Sequence, residues 1–323
     1  MAVKIAVIGE CMVELAQRST GMTRGFGGDT LNTAVYLSRV NPALTVHYVT
    51  ALGTDSMSRD MLTQWQKEGI HTDLVQRRAD KLPGLYLIET DGSGERTFHY
   101  WRSDAAARYW LQGDAALQVC QQLPQFDYLY LSGISLAILD EADRHKLFAL
   151  LAECRAGGTR ILFDNNYRPR LWQSQHAAQA AYGTMLALTD IAFLTQDDED
   201  ALWGLASPET VLARTRKAGV GEVVIKRGAE PCLILKGDQQ YSVAAMPLAK
   251  DAVRDTTAAG DSFSAGYLAM RLAGQSAVAA AHYAHQLAGT VIQYPGAIIP
   301  AAVMPVAPLS SALSSEVHHA NIA

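Results

Sequence analysis

The sequence Asp255-Thr256-Thr257-Ala258-Ala259-Gly260-Asp261-Ser262-Phe263-Ser264 lies near the C-terminal end and indicates an anion-binding loop that leads into a helix. Small residues separate its two aspartates, and the mostly small and apolar residues from 265 to 273 are typical of a helix. Backbone N–H groups at the start of a helix carry a partial positive charge and bind anions. Asp261, at the mouth of such a site, could accept a proton from an attacking hydroxyl while the amides hold phosphoryl oxygens. The stretch therefore predicts a site for phosphoryl transfer.

The alternative is a plain helix cap, since Asp and Ser both cap helices and glycine-containing turns often precede them. A cap needs one polar side chain and no run of small residues before it, so the whole stretch favours the anion site. Of the two carboxylates, Asp261 is the expected base, although a helix N-terminus is expected to keep its pKa low. Asp255 precedes the loop, and its position suits a residue that fixes the loop or helps to bind metal waters.

Composition limits the classes of partner. The chain has 323 residues, of which 49% are hydrophobic and 18% charged, as in soluble globular proteins. Its length allows two domains but is also ordinary for one α/β domain. The net charge is −5 and no block of basic residues occurs. Nucleic acids and anionic membranes call for clustered Lys and Arg, so neither is an expected partner.

The cysteines and the apolar runs indicate the compartment. Cys11, Cys120, Cys154 and Cys232 are far apart and show no paired spacing, which argues against a disulfide framework or a zinc site. The N-terminal apolar run is too short for a signal peptide and is typical of a buried strand. No uninterrupted apolar segment approaches the length of a membrane span. We therefore expect a cytoplasmic protein.

The order of elements predicts an α/β fold. Strands are predicted at 3–8, 46–52, 128–132, 160–164, 191–194, 222–226 and 232–235. Helices are predicted from the glycine-rich turn at 25–28 to about residue 39, at 60–68, 144–156, 177–188 and 209–218, and after Asp261. Such alternation favours a mostly parallel sheet covered by helices on both faces, with ligands beyond the carboxyl ends of the strands.

Two segments break this alternation. Residues 84–90 and 96–102 are predicted to form a hairpin joined by Asp91-Gly92-Ser93-Gly94-Glu95, and residues 10–16 a short strand of another sheet. Residues 310–323 show no periodicity. We expect a catalytic domain at 1–308 and a loosely ordered tail at 309–323.

Two motifs together resemble the paired signatures of the ribokinase-like (PfkB-type) carbohydrate kinases. They are Gly27-Gly28-Asp29-x-x-Asn32-x-Ala34 and Asp255-Thr256-x-Ala258-Ala259-Gly260-Asp261, and the resemblance spans about residues 3 to 300. It implies a three-layer fold with a mostly parallel central sheet and a small β-sheet lid, which we place at 10–16 and 84–102.

Further stretches resemble the members of the family that phosphorylate 2-keto-3-deoxygluconate. These are Gly9-Glu10, Gly28-Asp29, Leu85-Tyr86, Tyr100-Trp101-Arg102 and residues 164–172. The resemblance implies transfer of the γ-phosphoryl group of ATP, with Mg²⁺, to the C6 hydroxyl of that sugar acid.

The implied catalytic group is Asp261, which would deprotonate the sugar hydroxyl, with the amides of Ala258, Ala259 and Gly260 as an anion hole. The family usually has Gly-Ala-Gly-Asp at this point, whereas this chain has Ala258 in the first position. Since the N–H group is retained, we expect the anion hole to survive with some loss of backbone freedom.

The implied substrate residues are Gly28, Asp29, Asn32, Tyr86, Tyr100, Arg102, Arg168 and Asp261. The substrate carboxylate needs cationic and preferably bidentate partners, which favours Arg102 and Arg168. The alternative is that both arginines form ordinary surface ion pairs and that the tyrosines only pack. A neutral sugar would not need both arginines.

The implied ATP-binding residues are Asn166, Arg168, Lys226, Gly228, Ala258, Ala259 and Gly260. Lys226 could equally be a strand-end lysine that reaches solvent. The family's Asn-x-x-Glu aligns with residues 196–199, so a metal role, through water, is expected for Glu199 and not for Gln196. His282 and His285 lack a third ligand of fitting spacing and are not expected to bind metal.

Alternative functions are a kinase for ribose or fructose and a non-catalytic sugar-binding regulator, whose mark would be loss of the acidic residue at 261. A dinucleotide-dependent oxidoreductase lacks the Gly-x-Gly-x-x-Gly pattern. The apolar side chains of the hairpin, Leu85, Leu87 and Trp101, would be costly to expose, so we expect a homodimer formed through the lid.

Overall fold

A nine-stranded sheet runs through the centre of the computed structural model, which describes residues 2–18, 21–90 and 96–309. The strands are β1 (Lys4–Ile8), β4 (Thr45–Leu52), β5 (Val75–Arg77), β8 (Tyr128–Ser132), β9 (Arg160–Asp164), β10 (Ile191–Thr195), β11 (Glu222–Lys226), β12 (Cys232–Lys236) and β13 (Gln239–Val243). Their order is β13-β12-β11-β10-β9-β8-β1-β4-β5. All neighbours pair in parallel except β11 with β12 and β12 with β13, which are antiparallel.

Helices cover both faces of this sheet, as the alternating pattern predicts. They are α1 (Asp29–Val40), α2 (Ser56–Lys67), α3 (Asp114–Gln122), α4 (Gly133–Ala137), α5 (Glu141–Ala156), α6 (Gln175–Leu188), α7 (Gln196–Trp203), α8 (Pro208–Lys217), α9 (Ala259–Leu272) and α10 (Ala277–Val291). Residues of α1, α2, α9 and α10 share one hydrophobic core, and residues of α3 to α8 share the other.

The central strand shows why the sheet is buried on both faces. In β1, Ile5 and Val7 belong to one core, whereas Ala6 and Ile8 belong to the other. Successive side chains of a strand point to opposite faces, so a strand between two helical layers must be apolar throughout. The predicted α/β fold with a mostly parallel sheet and helices on both faces is confirmed.

A second sheet of four strands forms the lid. It contains β2 (Met12–Arg18), β3 (Gly21–Gly27), β6 (Leu85–Thr90) and β7 (Arg96–Trp101) in the order β3-β2-β6-β7. The lid strands were expected at 10–16 and 84–102. The predicted turn at 91–95 and the predicted tail beyond residue 309 lie outside the described residues, whereas Leu309 itself packs against a core.

The sequence-based expectation for residues 24–28 is wrong in one respect. The sequence pattern predicts a glycine-rich turn that enters α1, but Gly21–Gly27 forms β3 and pairs along its whole length with β2. Three of its seven residues are glycines, and its first four are exposed, so the hydrophobic alternation of a strand is missing. The pairing with β2, and not local propensity, makes this segment a strand.

The four cysteines and the helices bear on the expected disulfides and membrane spans. The cysteines are all free, as their spacing predicts. None of the helices among the described residues has the length and apolar character that crossing a membrane requires.

Candidate active site

A cleft of about 1760 Å³ lies between the lid and the carboxyl edge of the central sheet. Its walls include Tyr86 and Tyr100 from the lid and Asp164 and Lys226 from the ends of β9 and β11. The predicted site residues found in its lining are Gly28, Asp29, Asn32, Tyr86, Tyr100, Arg102, Asn166, Arg168, Lys226, Gly228, Ala258, Ala259, Gly260 and Asp261. Residues that are more than two hundred positions apart in the chain therefore share one cavity.

The loop before α9 has the predicted form of a helix N-terminus that faces the cleft. Ala258 is the N-cap and has a left-handed backbone with φ 61° and ψ 15°. The Ala259 N–H donates to the Thr256 carbonyl over 3.2 Å. Nowhere in the described chain is there an acceptor for the N–H groups of Ala258, Gly260 or Asp261. Three amides at the positive end of α9 thus remain available to an anion.

Asp255 fixes this loop, as its position suggests. Its Oδ1 accepts hydrogen bonds from the Thr257 N–H over 2.9 Å and the Thr257 hydroxyl over 2.6 Å. Its Oδ2 accepts from the Gly296 N–H over 3.0 Å. Both carboxylate oxygens of Asp255 are therefore occupied by structural contacts, and of the two aspartates of this loop it is Asp261 that lines the cleft.

Asp261 lies at the floor of the cleft in the first turn of α9, where Asn32 Nδ2 donates to its Oδ2 over 2.8 Å. Burial raises its pKa to about 7, and the neighbouring carboxylates Asp29 and Asp164 add to this, while the Asn32 hydrogen bond and Lys226 oppose it. The expectation of a low pKa from the helix N-terminus is therefore wrong, because loss of water and two nearby negative charges outweigh the helix end. A carboxylate with a pKa near neutrality suits a general base.

A buried cluster of charged and hydroxyl groups lies beside the loop. Lys226 Nζ donates to Asp164 Oδ2 over 2.6 Å and to Ser264 Oγ over 3.2 Å, and Ser264 Oγ donates to the same Asp164 oxygen over 2.7 Å. Lys226 is only 8% exposed, so it does not extend into solvent. A Cβ on Gly260 would lie 3.3 Å from Lys226 Nζ, so the ammonium group lies against the predicted anion hole.

Asp29 and Asn166 link the two sides of the cleft. Asn166 Nδ2 donates to Asp29 Oδ2 over 2.6 Å. Asn166 follows β9 and has a positive φ of 27°, which is uncommon for a residue other than glycine and is better tolerated by asparagine. Asn166 is a predicted ATP-binding residue and Asp29 a predicted substrate residue, and this hydrogen bond joins them.

Arg102 belongs to a buried ion pair and also lines the cleft. Its guanidinium donates to the Glu10 carboxylate, and the two side chains are 10% and 1% exposed. The pair of Arg102 and Glu10 is thus not an ordinary surface ion pair. Glu10 Oε1 and Arg102 Nε are both buried without a hydrogen-bond partner in the described part of the structure. A Cβ on Gly84 would come within 2.6 Å of Glu10 Oε1, so glycine at 84 makes room for the pair.

The cleft-facing side of the lid is aromatic. Tyr86, Phe98 and Tyr100 form a row with ring centroids 5.9 to 6.4 Å apart. The Tyr86 hydroxyl donates to the Glu14 carboxylate. A Cβ on Gly27 would overlap the Tyr86 hydroxyl, which explains why the strand next to β2 has glycine at this position. The tyrosines therefore line the cleft as well as packing against each other.

Arg168 lines the cleft, whereas Glu199 lies behind its wall. The Arg168 side chain is 52% exposed and its Nη1 donates to Asp198 Oδ1 over 3.3 Å, so it extends into the open part of the cleft. Burial raises the pKa of Asp198.

Glu199, expected near the metal, is absent from the cleft lining among the described residues. It lies below the wall, where it accepts hydrogen bonds from Asn165 and Arg214. Asp197 and Asp198 line the cleft at this end.

Four residues of the site and its supports are absent from the residues predicted from sequence: Asp164, Asp198, Glu14 and Ser264. Asp164 is the last residue of one predicted strand and Asp198 lies shortly after the end of the next, so their position at the carboxyl edge of the sheet is a usable signal. Glu14 and Ser264 carry no such signal, because their role depends on contacts with Tyr86 and Asp164.

Comparisons with known proteins agree with this geometry. The sequence signature of the pfkB family carbohydrate kinases matches residues 2–303. The chain is 64% identical over 304 residues to the 2-dehydro-3-deoxygluconokinase of Dickeya dadantii, covering 93% of this chain and 98% of that one. It is 61% identical over 308 residues to the 2-dehydro-3-deoxygluconokinase of Escherichia coli K12, covering 94% and 100%. In structure it is similar to a putative ribokinase II from E. coli in complex with ATP and Mg²⁺, with a TM-score of 0.78, 20% identity and coverage of 92% and 94%.

Proposed function

Because the chain belongs to the pfkB family of carbohydrate kinases, we propose that it transfers the γ-phosphoryl group of ATP to the C6 hydroxyl of 2-keto-3-deoxygluconate. The products would be 2-keto-3-deoxy-6-phosphogluconate and ADP. The observation that carries this proposal is the Asp261 carboxylate at the cleft floor, in the first turn of α9 and next to three available amides. The choice of sugar rests on relatives of 64% and 61% identity with that substrate in their names.

The reaction needs a base, a positive environment for the phosphoryl group and an aligned hydroxyl. The C6 oxygen forms a bond to the γ-phosphorus while the bond from phosphorus to the bridging oxygen of ATP breaks. Asp261 takes the hydroxyl proton, and ADP leaves with the bonding electrons. The amides of Ala258, Ala259 and Gly260 were the predicted anion hole. The Ala259 N–H already donates to the Thr256 carbonyl. The N–H groups of Ala258, Gly260 and Asp261 are therefore the proposed main donors of the anion hole.

The sugar acid would lie on the lid side of Asp261. Gly28, Asp29 and Asn32 would contact its hydroxyl or keto groups, and Asn32 Oδ1 is a buried acceptor with no partner among the described residues, ready for a substrate hydroxyl. Tyr86 and Tyr100 would pack against the carbon chain. Arg102 and Arg168 both line the cleft and would bind the carboxylate.

ATP would lie along the carboxyl ends of β9 to β11. Lys226, against Gly260, is placed to contact phosphate oxygens, and Asn166 and Gly228 line the same part of the cleft. Arg168 is exposed enough to reach either the substrate carboxylate or the phosphates. These assignments follow from position along the cleft wall and from the charge of the groups.

Magnesium fits the carboxylates of this end of the cleft. Mg²⁺ prefers oxygen ligands, keeps several waters and usually takes phosphate oxygens with one or two carboxylates. Asp197 and Asp198 line the cleft, and the described residues place no group of three metal-ligating side chains there, which suits an ion held mainly by phosphates and water. When bound with ATP, Mg²⁺ would neutralise phosphate charge. Glu199 would stabilise this end of the cleft through its hydrogen bond with Asn165. Its contact with the metal through water stays a prediction.

We also propose a homodimer formed through the outer side of the lid. On that side Trp101 is 59% exposed and Met22 is 58% exposed, whereas Leu85 and Leu87 are half-buried. Large exposed apolar side chains often mark an interface. Sedimentation of the wild type as a dimer and of Trp101→Lys as a monomer is expected, and a monomeric wild type at micromolar concentration would refute the dimer. A cytoplasmic location stays a prediction from the cysteine pattern.

The substrate is tested by ADP release with Mg-ATP and a panel of 2-keto-3-deoxygluconate, its galactonate epimer, ribose and fructose. Turnover of 2-keto-3-deoxygluconate is expected, with a loss of about 10² to 10⁴-fold in Asp261→Asn. Asp238→Asn, whose side chain is 89% exposed and lies outside the cleft lining, is the control and should keep full activity.

Three results would count against the proposal. No turnover of the sugar acid by the wild type would overturn the substrate. Unchanged turnover in Asp261→Asn would overturn the base. Activity on ribose or fructose that persists in the double variant Arg102→Ala with Arg168→Ala, without activity on the sugar acid, would favour the neutral-sugar kinase.

A further inference from the structure

Two histidines and an aspartate converge at the opposite edge of the central sheet, away from the cleft. One ring nitrogen each of His47 and His71 and a carboxylate oxygen of Asp73 all lie within 4.8 Å of one another. His47 is the third residue of β4, near its amino end, whereas the cleft is at the carboxyl ends of the strands. This group is therefore separate from the site of phosphoryl transfer.

The backbone holds these residues in register. His47 and His71 form a parallel β-bridge, with the Tyr48 N–H donating to the His71 carbonyl over 3.0 Å and the His71 N–H donating to the Val46 carbonyl over 2.8 Å. Side chains opposite each other in such a bridge point to the same side. The imidazole rings accordingly stack, with centroids 4.6 Å apart and planes at 21°.

Asp73 completes the group from the same segment as His71. It lies two residues further on, and its Oδ1 is 2.8 Å from His47 Nδ1. Gln66 Nε2 donates to the Thr72 hydroxyl over 2.9 Å, and this bond steadies the segment from α2. The Phe126 ring meets the His47 ring edge-on at 5.0 Å and shields it on the inner side.

We propose that His47, His71 and Asp73 bind a divalent transition-metal ion of the zinc class. Two imidazoles and a carboxylate are ligands of Zn²⁺, Co²⁺ and Ni²⁺, whereas Mg²⁺ prefers oxygen ligands alone. In a tetrahedral zinc site, with bonds of about 2.0–2.2 Å, the ligand atoms are about 3.3 Å apart. The ligand atoms lie within 4.8 Å of one another, so a pair at that limit must close by about 1.5 Å, which movement of the exposed side chains of His71 and Asp73 allows.

The site has an entrance and room for water. A depression of about 540 Å³ is lined by Gln66, Gly69, Ile70, His71, Thr72 and Asp73. An ion held by three protein ligands keeps an open fourth position, and water from this depression would fill it. Since β5 begins two residues after Asp73, the ion would tie the edge of the sheet to β4.

The test is a titration of the chelator-stripped full chain with Zn²⁺ by calorimetry at neutral pH, followed by Co²⁺ absorption spectra as a second readout. We expect one ion per chain with micromolar affinity and the visible bands of four-coordinate Co²⁺. His71→Ala and Asp73→Asn should each weaken binding by about tenfold or more, since even residues behind a metal ligand contribute about 10 to 100-fold. His145→Ala removes another exposed histidine, on α5, and should leave binding unchanged.

These variants should fold, because His71 contributes to the bridge only through its backbone and Asp73 is exposed. An equal thermal transition without metal for wild type and variants would verify this. Zinc binding that is equal in wild type and His71→Ala would overturn the proposal, and so would absence of binding at sub-millimolar Zn²⁺. Both readouts are independent of kinase activity.

Discussion

The Asn32 amide donates to the Asp261 carboxylate over 2.8 Å, although the two residues are 229 positions apart in the chain. This hydrogen bond stabilises the charged form of Asp261, while burial and the charges of Asp29 and Asp164 stabilise the protonated form. The balance puts the pKa of Asp261 at about 7. We therefore expect Asn32 to tune the pKa of the proposed base, in addition to its predicted contact with the substrate.

The first prediction concerns the pH dependence of activity. Since the base must be deprotonated, kcat/KM should fall as the pH drops below about 7, the pKa of Asp261. Asn32→Leu removes the hydrogen bond to the charged form, so the midpoint of this fall should move to higher pH. A pH profile of kcat/KM for both proteins measures the shift. A midpoint that stays unchanged would show that Asn32 does not tune the base.

The second prediction concerns stability. The pKa of Asp261 is 3.8 as an ordinary value and about 7 in the folded protein, so the folded state binds more protons between these limits. Stability from this group is therefore present below about pH 4 and is lost as the pH rises through 7. Asp261→Asn should be more stable than wild type at about pH 8, and the difference should shrink as the pH falls towards 4.

Thermal denaturation of wild type and Asp261→Asn across this pH range measures the effect. Asp238→Asn, at an exposed position, is the control and should show no comparable trend. A stabilisation by Asp261→Asn that is constant with pH would mean that the charge of Asp261 is not the cause. If Asp261→Asn is more stable than wild type and also loses activity, the burial of Asp261 lowers stability but serves the reaction.

Much of the fold was predictable from local pattern. The strands at 128–132, 160–164 and 222–226 coincide with β8, β9 and β11, since each is a short apolar or nearly apolar run between polar turns. The edge strands β5 and β13 were not predicted. β5 has three residues and β13 is mostly exposed, so neither has a pattern that distinguishes it from a loop.

The site was predictable only in part, because motifs reveal chemistry but not partners. The sequence of the loop at 255–264 suffices to predict an anion site with Asp261 as its carboxylate. It does not reveal that Glu10 pairs with Arg102, since that pair depends on how the lid folds against β1. The pKa of Asp261 was likewise unpredictable from the loop alone, because Asp29 and Asp164 approach it from other elements.

The third prediction concerns Ala258. A left-handed backbone costs an L-residue about 1–2 kcal/mol, whereas glycine adopts it readily. Ala258→Gly should therefore stabilise the folded protein by about 1 kcal/mol, reduced by the greater flexibility of glycine in the unfolded chain. Ala259→Gly is the matched control, because Ala259 lies within α9 and glycine there should not stabilise. Urea denaturation of both variants separates the two effects, and equal changes would contradict a strained Ala258.

The fourth prediction concerns the buried pair of Glu10 and Arg102. Glu10→Gln leaves the Arg102 charge without its partner, and removing one member of a buried ion pair typically costs about 3–5 kcal/mol. If Arg102 binds the substrate carboxylate, the sugar acid supplies a replacement negative charge. The increase in Tm on adding 2-keto-3-deoxygluconate should then be larger for Glu10→Gln than for wild type.

Glu14→Gln is the matched control for this experiment, because Glu14 lies nearby in β2 of the lid but accepts from the Tyr86 hydroxyl and not from an arginine. Its Tm should rise with substrate by no more than that of wild type. Differential scanning fluorimetry with the sugar acid and with fructose measures both responses, and fructose should not rescue Glu10→Gln because it has no carboxylate. Equal rescue by fructose and by the sugar acid would mean that the Arg102 charge does not bind the carboxylate, and of the two predicted arginines Arg168 would then remain.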